Sequence, residues 1–192
     1  MQTAQIRWNR RYAAEGVEWS TRKPSQLLVD YANLLPRGGL ALDAGAGVGK
    51  NSIFLAQQGL HVIALDISET GLGFLKRRAS TANLPISPAV WNLAQPYLPP
   101  AQFNLIINFN FLERATLSVY RSALKEGGLI IFSTFVQPTH KHPSEPFFLQ
   151  PNELRVAFAG FELLHNSQTS YFHRRSSSVR YIEHFIGRKI SS

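Results

Sequence analysis

Short apolar runs of strand length alternate with segments of helical periodicity from about residue 38 onward. This alternation is typical of βαβ units, in which a helix crosses over between two strands of a mostly parallel sheet. Strands are expected over 40–44, 61–66, 86–91, 103–109 and 129–136, and helices over about 49–58, 68–82 and 112–124. The sequence therefore predicts an α/β fold with helices on both faces of the sheet.

The two ends of the chain depart from this alternation. A helix that begins at Pro24 places Leu27, Leu28 and Leu34 on one face, so residues 1–37 are expected to form a helical cap that covers the edge of the sheet. Near the C-terminus, strands at about 161–166 and 179–188 are separated by a short polar stretch, which favours an antiparallel hairpin.

Connections within the chain are short. Pro96, Pro99 and Pro100 leave room for only a loop between the third and fourth strands. A polar loop over 137–150 precedes a helix near Pro151. Since there is neither a repeat nor a linker, one domain over 1–192 is expected.

Composition excludes several classes of function. There is no cysteine, which excludes disulfides, thiolate metal sites and a cysteine nucleophile. No apolar run approaches the roughly 18 residues that a membrane-spanning helix needs, and the arginines of 1–12 precede no apolar run, so we expect a cytoplasmic protein without a secretory signal. A net charge of +8 suggests an anionic partner or simply a solvated basic surface.

Three alternating glycines, Gly45, Gly47 and Gly49, follow the first expected strand. Glycine lets the chain turn tightly there and lets a ligand approach the backbone. A dinucleotide fingerprint would need glycine in place of Lys50, and a P-loop would need Ser or Thr in place of Asn51. Because Asp43, before the glycines, would repel a phosphate, the pattern favours a cationic ligand.

A second acid, Asp66, ends the second expected strand. A carboxylate at this position accepts hydrogen bonds from both ribose hydroxyls in other nucleoside-binding βαβ folds. The alternative is that Asp66 caps the following helix, a role for which Ser68 is already suited. The glycines together with Asp66 predict a nucleoside site.

These motifs resemble those of a known family. The runs Asp43-Ala44-Gly45-Ala46-Gly47-Val48-Gly49 and Val62-Ile63-Ala64-Leu65-Asp66-Ile67-Ser68 are similar to motifs I and II of the class I S-adenosylmethionine-dependent methyltransferases. The similarity is greatest to the tellurite-resistance and thiopurine methyltransferase branch. It extends to Trp8 and Arg11-Tyr12, to 108–114 and to 124–129, and covers about residues 8–188.

The resemblance implies a Rossmann-like three-layer sandwich whose seven strands run in the order 3-2-1-4-5-7-6, with strand 7 antiparallel. It also implies that S-adenosylmethionine is the cofactor, with Asp43 at its methionine end and Asp66 on its ribose. S-adenosylhomocysteine is then the product. The other implied cofactor residues are Gly45, Ala46, Gly47, Gly49, Ile67, Asn92, Leu93 and Asn108. Asn92 departs from the usual acid of the family and keeps only an uncharged acceptor for adenine.

The crevice at the strand ends should hold the methyl acceptor next to the loop after the fourth strand. Phe109 and Phe111 are either its wall or part of the core. The candidates for binding the acceptor are Arg11, Trp19, Arg114, His140, Lys141 and His142. Each has a second interpretation, since the loop histidines are otherwise solvated, Trp19 otherwise covers the sheet edge and Arg114 otherwise pairs with a helix carboxylate. No metal site is expected.

Three functions follow. The first is methyl transfer to a small molecule, an anion or a soft chalcogen nucleophile, shielded by the 137–150 loop acting as a lid. This transfer needs alignment of donor and acceptor more than it needs a particular side chain. The second, motivated by the net charge, is a nucleic-acid-directed methyltransferase or a nucleic-acid-binding protein. The third is a noncatalytic module that binds S-adenosylmethionine. The sequence indicates no catalytic residue and no oligomeric state.

Overall fold

A computed structural model describes residues 2–136, 147–173 and 177–191 of the protein. Its helices are α1 (Gln2–Ser20), α2 (Gln26–Asp30), a 3-10 helix (Ala32–Leu34), α3 (Lys50–Gln57), α4 (Glu69–Thr81), α5 (Ala115–Ala123) and α6 (Glu153–Ala157). Its strands are β1 (Leu40–Ala44), β2 (His61–Asp66), β3 (Ile86–Val90), β4 (Phe103–Phe109), β5 (Leu124–Val136), β6 (Phe161–His173) and β7 (Ser178–Lys189).

The strands form one sheet in the order β3-β2-β1-β4-β5-β7-β6. Every pair from β3 to β5 is parallel, whereas β7 runs antiparallel to both β5 and β6. The predicted order and the antiparallel seventh strand are confirmed. This order reverses direction between β1 and β4, which opens a crevice at the carboxyl ends of these two strands.

Two hydrophobic clusters hold the sheet between its helices. Leu42, Ile106 and Ile130 point to one face, while Leu28 of α2 packs with Ala41 and Leu105 on the other. We call this second side of the sheet the α2 face. Because both faces of the central strands are buried, these strands are mostly apolar on both sides, as parallel strands usually are.

The N-terminal cap differs from the expectation in two ways. The helix predicted from Pro24 is short: α2 ends at Asp30 and is followed by a single 3-10 turn. The cap was also expected at the sheet edge, and this was wrong for α2, because fully buried Leu28 packs in the cluster formed by the central strands. The rest of the cap is the 19-residue helix α1, which packs on α4.

Most other boundaries agree with the sequence. The connection from β3 to β4 contains turns and no helix, as its prolines predicted. β5 is longer than expected, since it begins at Leu124 and pairs with Phe103 before a register shift. The β6–β7 hairpin is also longer than expected, with pairing from Phe161–Lys189 to His173–Ser178.

Candidate functional site

The glycine loop leaves β1 where the sheet order reverses. Ala44, the last residue of β1, pairs with Leu65 of β2 on one side and with Asn108 of β4 on the other. The backbone N–H groups of Gly45 and Ala46 both donate to the Leu65 carbonyl, at 2.8 and 2.9 Å. The loop is therefore anchored to β2 and faces the crevice between β1 and β4.

The loop glycines are required by backbone conformation and by space. Gly45, Gly47 and Gly49 have φ angles of 76°, 56° and 75°, in the left-handed region that disfavours other residues. A Cβ at Gly47 would lie 2.5 Å from the Tyr12 hydroxyl, and one at Gly49 would overlap the Leu75 side chain. The predicted tight turn agrees with this geometry, and the approach of a ligand to its backbone stays a prediction.

Asp66 holds the glycine loop through two backbone hydrogen bonds. Its Oδ2 accepts from the Gly47 N–H and its Oδ1 accepts from the Ser68 N–H, both at 2.8 Å. Burial raises the pKa of Asp66, and the backbone hydrogen bonds partly oppose that rise. Helix α4 is capped by Ser68, whose Oγ accepts from the Gly71 N–H at 3.1 Å. A carboxylate has about four lone-pair sites, so Asp66 keeps acceptor capacity for a ribose, and that contact stays a prediction.

Asp43 lies beneath the loop on the α2 face. It is 2% exposed, and its Oδ2 accepts a hydrogen bond of 2.6 Å from the Ser52 hydroxyl of α3. Burial raises the pKa of Asp43 to about 7; Ser52 lowers it, and the nearby Asp66 raises it further. The sequence analysis did not identify Ser52, although its position in the first turn of the helix after the glycines was a usable signal. Contact between Asp43 and a ligand stays a prediction.

Asn108 presents an unsatisfied acceptor at the same point of the sheet. Its Nδ2 donates to the Phe111 carbonyl at 2.7 Å, while its Oδ1 is buried without a hydrogen-bond partner. A buried acceptor that lacks a partner costs about 1–3 kcal/mol. Asn108 is thus suited to accept from an N–H or O–H of a ligand in the crevice.

The two phenylalanines after β4 have different environments. Phe109 belongs to the hydrophobic cluster of the α2 face and is 9% exposed, which agrees with its interpretation as a core residue. Phe111 lies against the glycine loop, since a Cβ built at Gly45 would be 3.2 Å from the Phe111 Cβ. Of the two, Phe111 is the one placed to contact a bound ligand.

The remaining cofactor candidates lie at the ends of β2 and β3. Ile67 is partly buried directly after Asp66. The Asn92 Oδ1 accepts from the Ala94 N–H at 3.1 Å and shapes a turn, while Leu93 is 5% exposed and packs in the core. Adenine contacts by these residues stay predictions.

An aromatic cluster on α1 covers the glycine loop. Tyr12 stacks on Trp8 with 5.6 Å between ring centroids and meets the edge of Trp19 at 5.5 Å. The Arg11 guanidinium lies 5.5 Å from the Trp8 ring centroid and 4.8 Å from that of Trp19. We refer to Trp8, Arg11, Tyr12 and Trp19 as the α1 cluster. It groups two acceptor candidates, Arg11 and Trp19, around Tyr12, the member that contacts Gly47.

Tyr12 is the site residue that sequence reasoning missed. It is 8% exposed, and burial raises its pKa, followed by the negative charge of Asp66. Trp8, Tyr12 and Trp19 are spaced so that they share one face of a helix. That spacing was a signal for an aromatic cover.

Arg114 is engaged by α6. Its guanidinium donates to both carboxylate oxygens of Glu153, at 2.6 and 2.8 Å, and to the Phe148 carbonyl at 2.8 Å. This is the helix-carboxylate pairing that the sequence offered as the alternative. The other acceptor candidates, His140, Lys141 and His142, lie outside the described residues.

Within residues 2–136, 147–173 and 177–191, no three His, Asp or Glu side chains are grouped so that they could bind a metal ion. Among the same residues, no helix combines the length and the apolar character needed to cross a membrane.

Comparison with known proteins identifies the class of this fold. Residues 41–128 match the model of a family described as a methyltransferase domain. The probable thiol methyltransferase 2 of Arabidopsis thaliana is 29% identical over 111 residues, covering 54% of this chain and 47% of that protein. The S-adenosyl-L-methionine-dependent Diels-Alderase iccD of Talaromyces variabilis is 35% identical over 69 residues, or 36% of this chain and 23% of that protein. The chain thus spans less than half the length of these two curated relatives.

The crystal structure of TehB from Haemophilus influenzae superposes with a TM-score of 0.76 at 19% identity, covering 95% of this chain and 67% of that one. Residues 41–128 are thus similar to a methyltransferase domain, as the resemblance in the sequence implied. The superposition on TehB and the strand order show the fold of the class I S-adenosylmethionine-dependent methyltransferases.

Proposed function

We propose that the protein binds S-adenosylmethionine and transfers its methyl group to a small-molecule acceptor. The observation that carries this proposal is the anchored glycine loop with two buried carboxylates, Asp43 and Asp66, at the sheet reversal. The match of residues 41–128 to a methyltransferase domain supports it.

The charge of the site suits a cation better than a phosphate. Burial raises the pKa of Asp43, and the nearby Asp66 raises it further, so ionisation of Asp43 is costly in the free protein. A sulfonium or ammonium near them would relieve that cost, whereas a phosphate would add to it. The available lone pairs of Asp66 and the free Oδ1 of Asn108 supply acceptors for the hydroxyl and amino groups of a nucleoside.

When bound, S-adenosylmethionine supplies an electrophilic methyl group. The protein's part is to hold this methyl group in line with the acceptor, an orientation effect worth roughly 7–11 kcal/mol. Asp66 would hold the ribose, the glycine backbone would border the methionine end, and Phe111 with the α1 cluster would limit access of water.

For the acceptor we propose an anion or a soft chalcogen nucleophile. The name of the Arabidopsis relative points to a thiol as one such acceptor. Arg11, which stacks on Trp19 and lies 3.8 Å from Glu15, stays the candidate cation for an anionic acceptor. The 137–150 loop as a lid, and its residues His140, Lys141 and His142 as acceptor contacts, stay predictions.

A second candidate is a module that binds S-adenosylmethionine without transferring its methyl group. The similarity to a Diels-Alderase that depends on S-adenosyl-L-methionine motivates it. Nucleic acid as the methyl acceptor has only the net charge of +8 in its favour. A single domain over 1–192 and a cytoplasmic location likewise stay predictions.

Ligand selectivity tests the proposed cofactor. S-adenosylmethionine or S-adenosylhomocysteine should raise the melting temperature, because a ligand that binds only the folded state stabilises it. NAD and ATP should have little effect, since their phosphates would meet the two carboxylates. Equal stabilisation by NAD would disprove the cofactor assignment.

A further inference from the structure

A chain of three polar side chains crosses β5, β7 and β6 on the α2 face. A hydrogen bond of 2.9 Å joins Ser133 Oγ to His184 Nδ1, and a second of 2.8 Å joins Thr169 Oγ1 to His184 Nε2. The imidazole therefore lies between two hydroxyls. We call Ser133, His184 and Thr169 the relay.

The relay begins beside the crevice. Ser133 pairs with Phe109, the last residue of β4, and its carbonyl accepts from the Asn110 N–H at 2.8 Å. One residue earlier, Asn108 pairs with Ala44, from which the glycine loop departs. Since the glycine loop and Asp66 occupy the β1 and β2 side of this reversal, the β4 and β5 side, where Ser133 lies, is left for a second substrate.

Exposure increases along the relay. Ser133 is 5% exposed, His184 is half-buried and Thr169 is exposed. Hydroxyl and imidazole groups each accept one proton while donating another. A proton that enters at Ser133 therefore has a hydrogen-bonded route to solvent.

We propose that Ser133, His184 and Thr169 carry away the proton of a protic methyl acceptor. The inference rests on the proposed methyl transfer and narrows its acceptor to one class: a small thiol that is still protonated when it binds. A lone pair of the acceptor atom forms the bond to the methyl carbon as the carbon–sulfur bond breaks, with its electron pair going to sulfur. The acceptor proton passes to Ser133 Oγ while the Ser133 hydroxyl proton moves to His184, which releases a proton through Thr169.

The surroundings of His184 favour a proton acceptor. Burial lowers the pKa of His184, and the neighbouring His165 lowers it further, which favours the neutral ring that can accept a proton. Among the described residues of this face, the nearest other titratable groups are His165 and its hydrogen-bond partner Tyr31. Arg180 and Tyr171 pair with each other farther along the hairpin, towards its His173–Ser178 end. Glu183 points to the opposite face, where its Oε1 accepts from Asn166.

A matched pair of variants tests the relay. His184→Gln removes the titrating ring, and His165→Gln is the control, because the His165 ring also lies between two hydroxyls, those of Tyr31 and Ser167, at 2.7 and 2.8 Å. Labelled S-adenosylmethionine is the donor. The acceptors are 2-mercaptoethanol, which is mostly protonated at neutral pH, and iodide, which has no proton to lose.

His184→Gln should lower kcat on 2-mercaptoethanol by about 100-fold or more, at the lower end of what a positioned proton acceptor contributes. Turnover of iodide and affinity for S-adenosylhomocysteine should stay within about threefold of the natural protein. In the natural protein, kcat on the thiol should decrease as the pH falls and His184 becomes protonated. The pH profile of His184→Gln should not show this decrease. Ser133→Ala should reproduce the selective loss, and His165→Gln should not.

Equal losses on both acceptors, or unchanged thiol turnover in a folded His184→Gln protein, would overturn the relay and leave methyl transfer intact. Methylation of iodide alone by the natural protein would also overturn it, since its protic substrate class would be missing. A protein that binds no S-adenosylhomocysteine would refute the proposed function together with the relay.

Discussion

Asp43 shows how one residue couples folding to ligand binding. Its carboxyl is buried against Ser52, and burial brings its pKa to about 7. Near neutral pH the free protein therefore contains a buried acid that is only partly ionised. A cationic ligand would favour the charged form, which ties cofactor affinity to this group.

The pH dependence of stability tests that environment. Because the pKa is raised on folding, Asp43 favours the folded state at low pH, and this contribution is lost as pH rises from the unfolded value of 3.8 to about 7. Asp43→Asn removes the titration. Without ligand, the melting temperature of Asp43→Asn minus that of the natural protein should increase between pH 4 and 7 and stay constant above pH 7, by about 2–4 °C for each kcal/mol. The exposed Asp30→Asn is the control. A difference for Asp43→Asn that did not vary with pH would contradict the account.

Asp66 contributes to the free protein as well as to the site. Sequence reasoning assigned it to a ribose or to a helix cap, whereas the structure shows it holding the Gly47 and Ser68 amides. The Gly47 contact spans 19 residues of sequence, so local pattern did not reveal it.

Asp66→Ala should therefore lower both the free energy of unfolding and the affinity for S-adenosylhomocysteine. Hydrogen bonds to a charged group are worth about 1.5–3 kcal/mol, and the loss of unfolding free energy should be of that size. Asp66→Asn, which keeps one acceptor oxygen, should lose less. Urea denaturation and calorimetric titration measure the two effects. Unchanged stability in Asp66→Ala would show that the hydrogen bonds of Asp66 to the Gly47 and Ser68 amides do not stabilise the fold.

At the scale of elements, α1 covers the glycine loop and packs against it through Tyr12. Tyr12 fills the space over Gly47 and Gly71: an added Cβ would lie 2.5 Å from its hydroxyl oxygen at Gly47 and 3.0 Å from its ring at Gly71. Tyr12→Ala should cost about 3–5 kcal/mol of unfolding free energy, as removal of a buried aromatic usually does. It should also increase hydrogen exchange at the loop amides. Val17→Ala on the same helix, where Val17 is 71% exposed, should change neither quantity. Equal effects of the two substitutions would contradict a stabilising contact between Tyr12 and the loop.

Predictability from sequence varied with how an element is buried. β1, β2 and β4 have the predicted limits because burial on both faces makes them mostly apolar. β6 extends to His173, far beyond Asn166, because pairing with β7 holds polar residues such as Gln168 and Thr169 in a strand that their composition does not indicate. α2 lies on the central strands because of contacts that periodicity does not encode.

For the whole molecule, the strand order followed from the resemblance and is confirmed, and it places Asp66, Asn108 and the glycine loop at one reversal of the sheet. Local sequence patterns could not predict the contacts between segments that are distant in the chain. Tyr12 over Gly47 and Ser133 with His184 are of this kind. Such contacts depend on the assembled sheet, and they decide which side chains share the crevice.

The central claim is methyl transfer to a small molecule. It is tested most directly by incubating the protein with methyl-labelled S-adenosylmethionine, an ultrafiltered metabolite extract and, separately, RNA and DNA. We expect label in small molecules, with one S-adenosylhomocysteine released for each methyl group transferred, and none of this in Asp66→Ala at low cofactor concentration. Tight binding of S-adenosylmethionine without any transfer of label, or transfer to nucleic acid alone, would contradict the account.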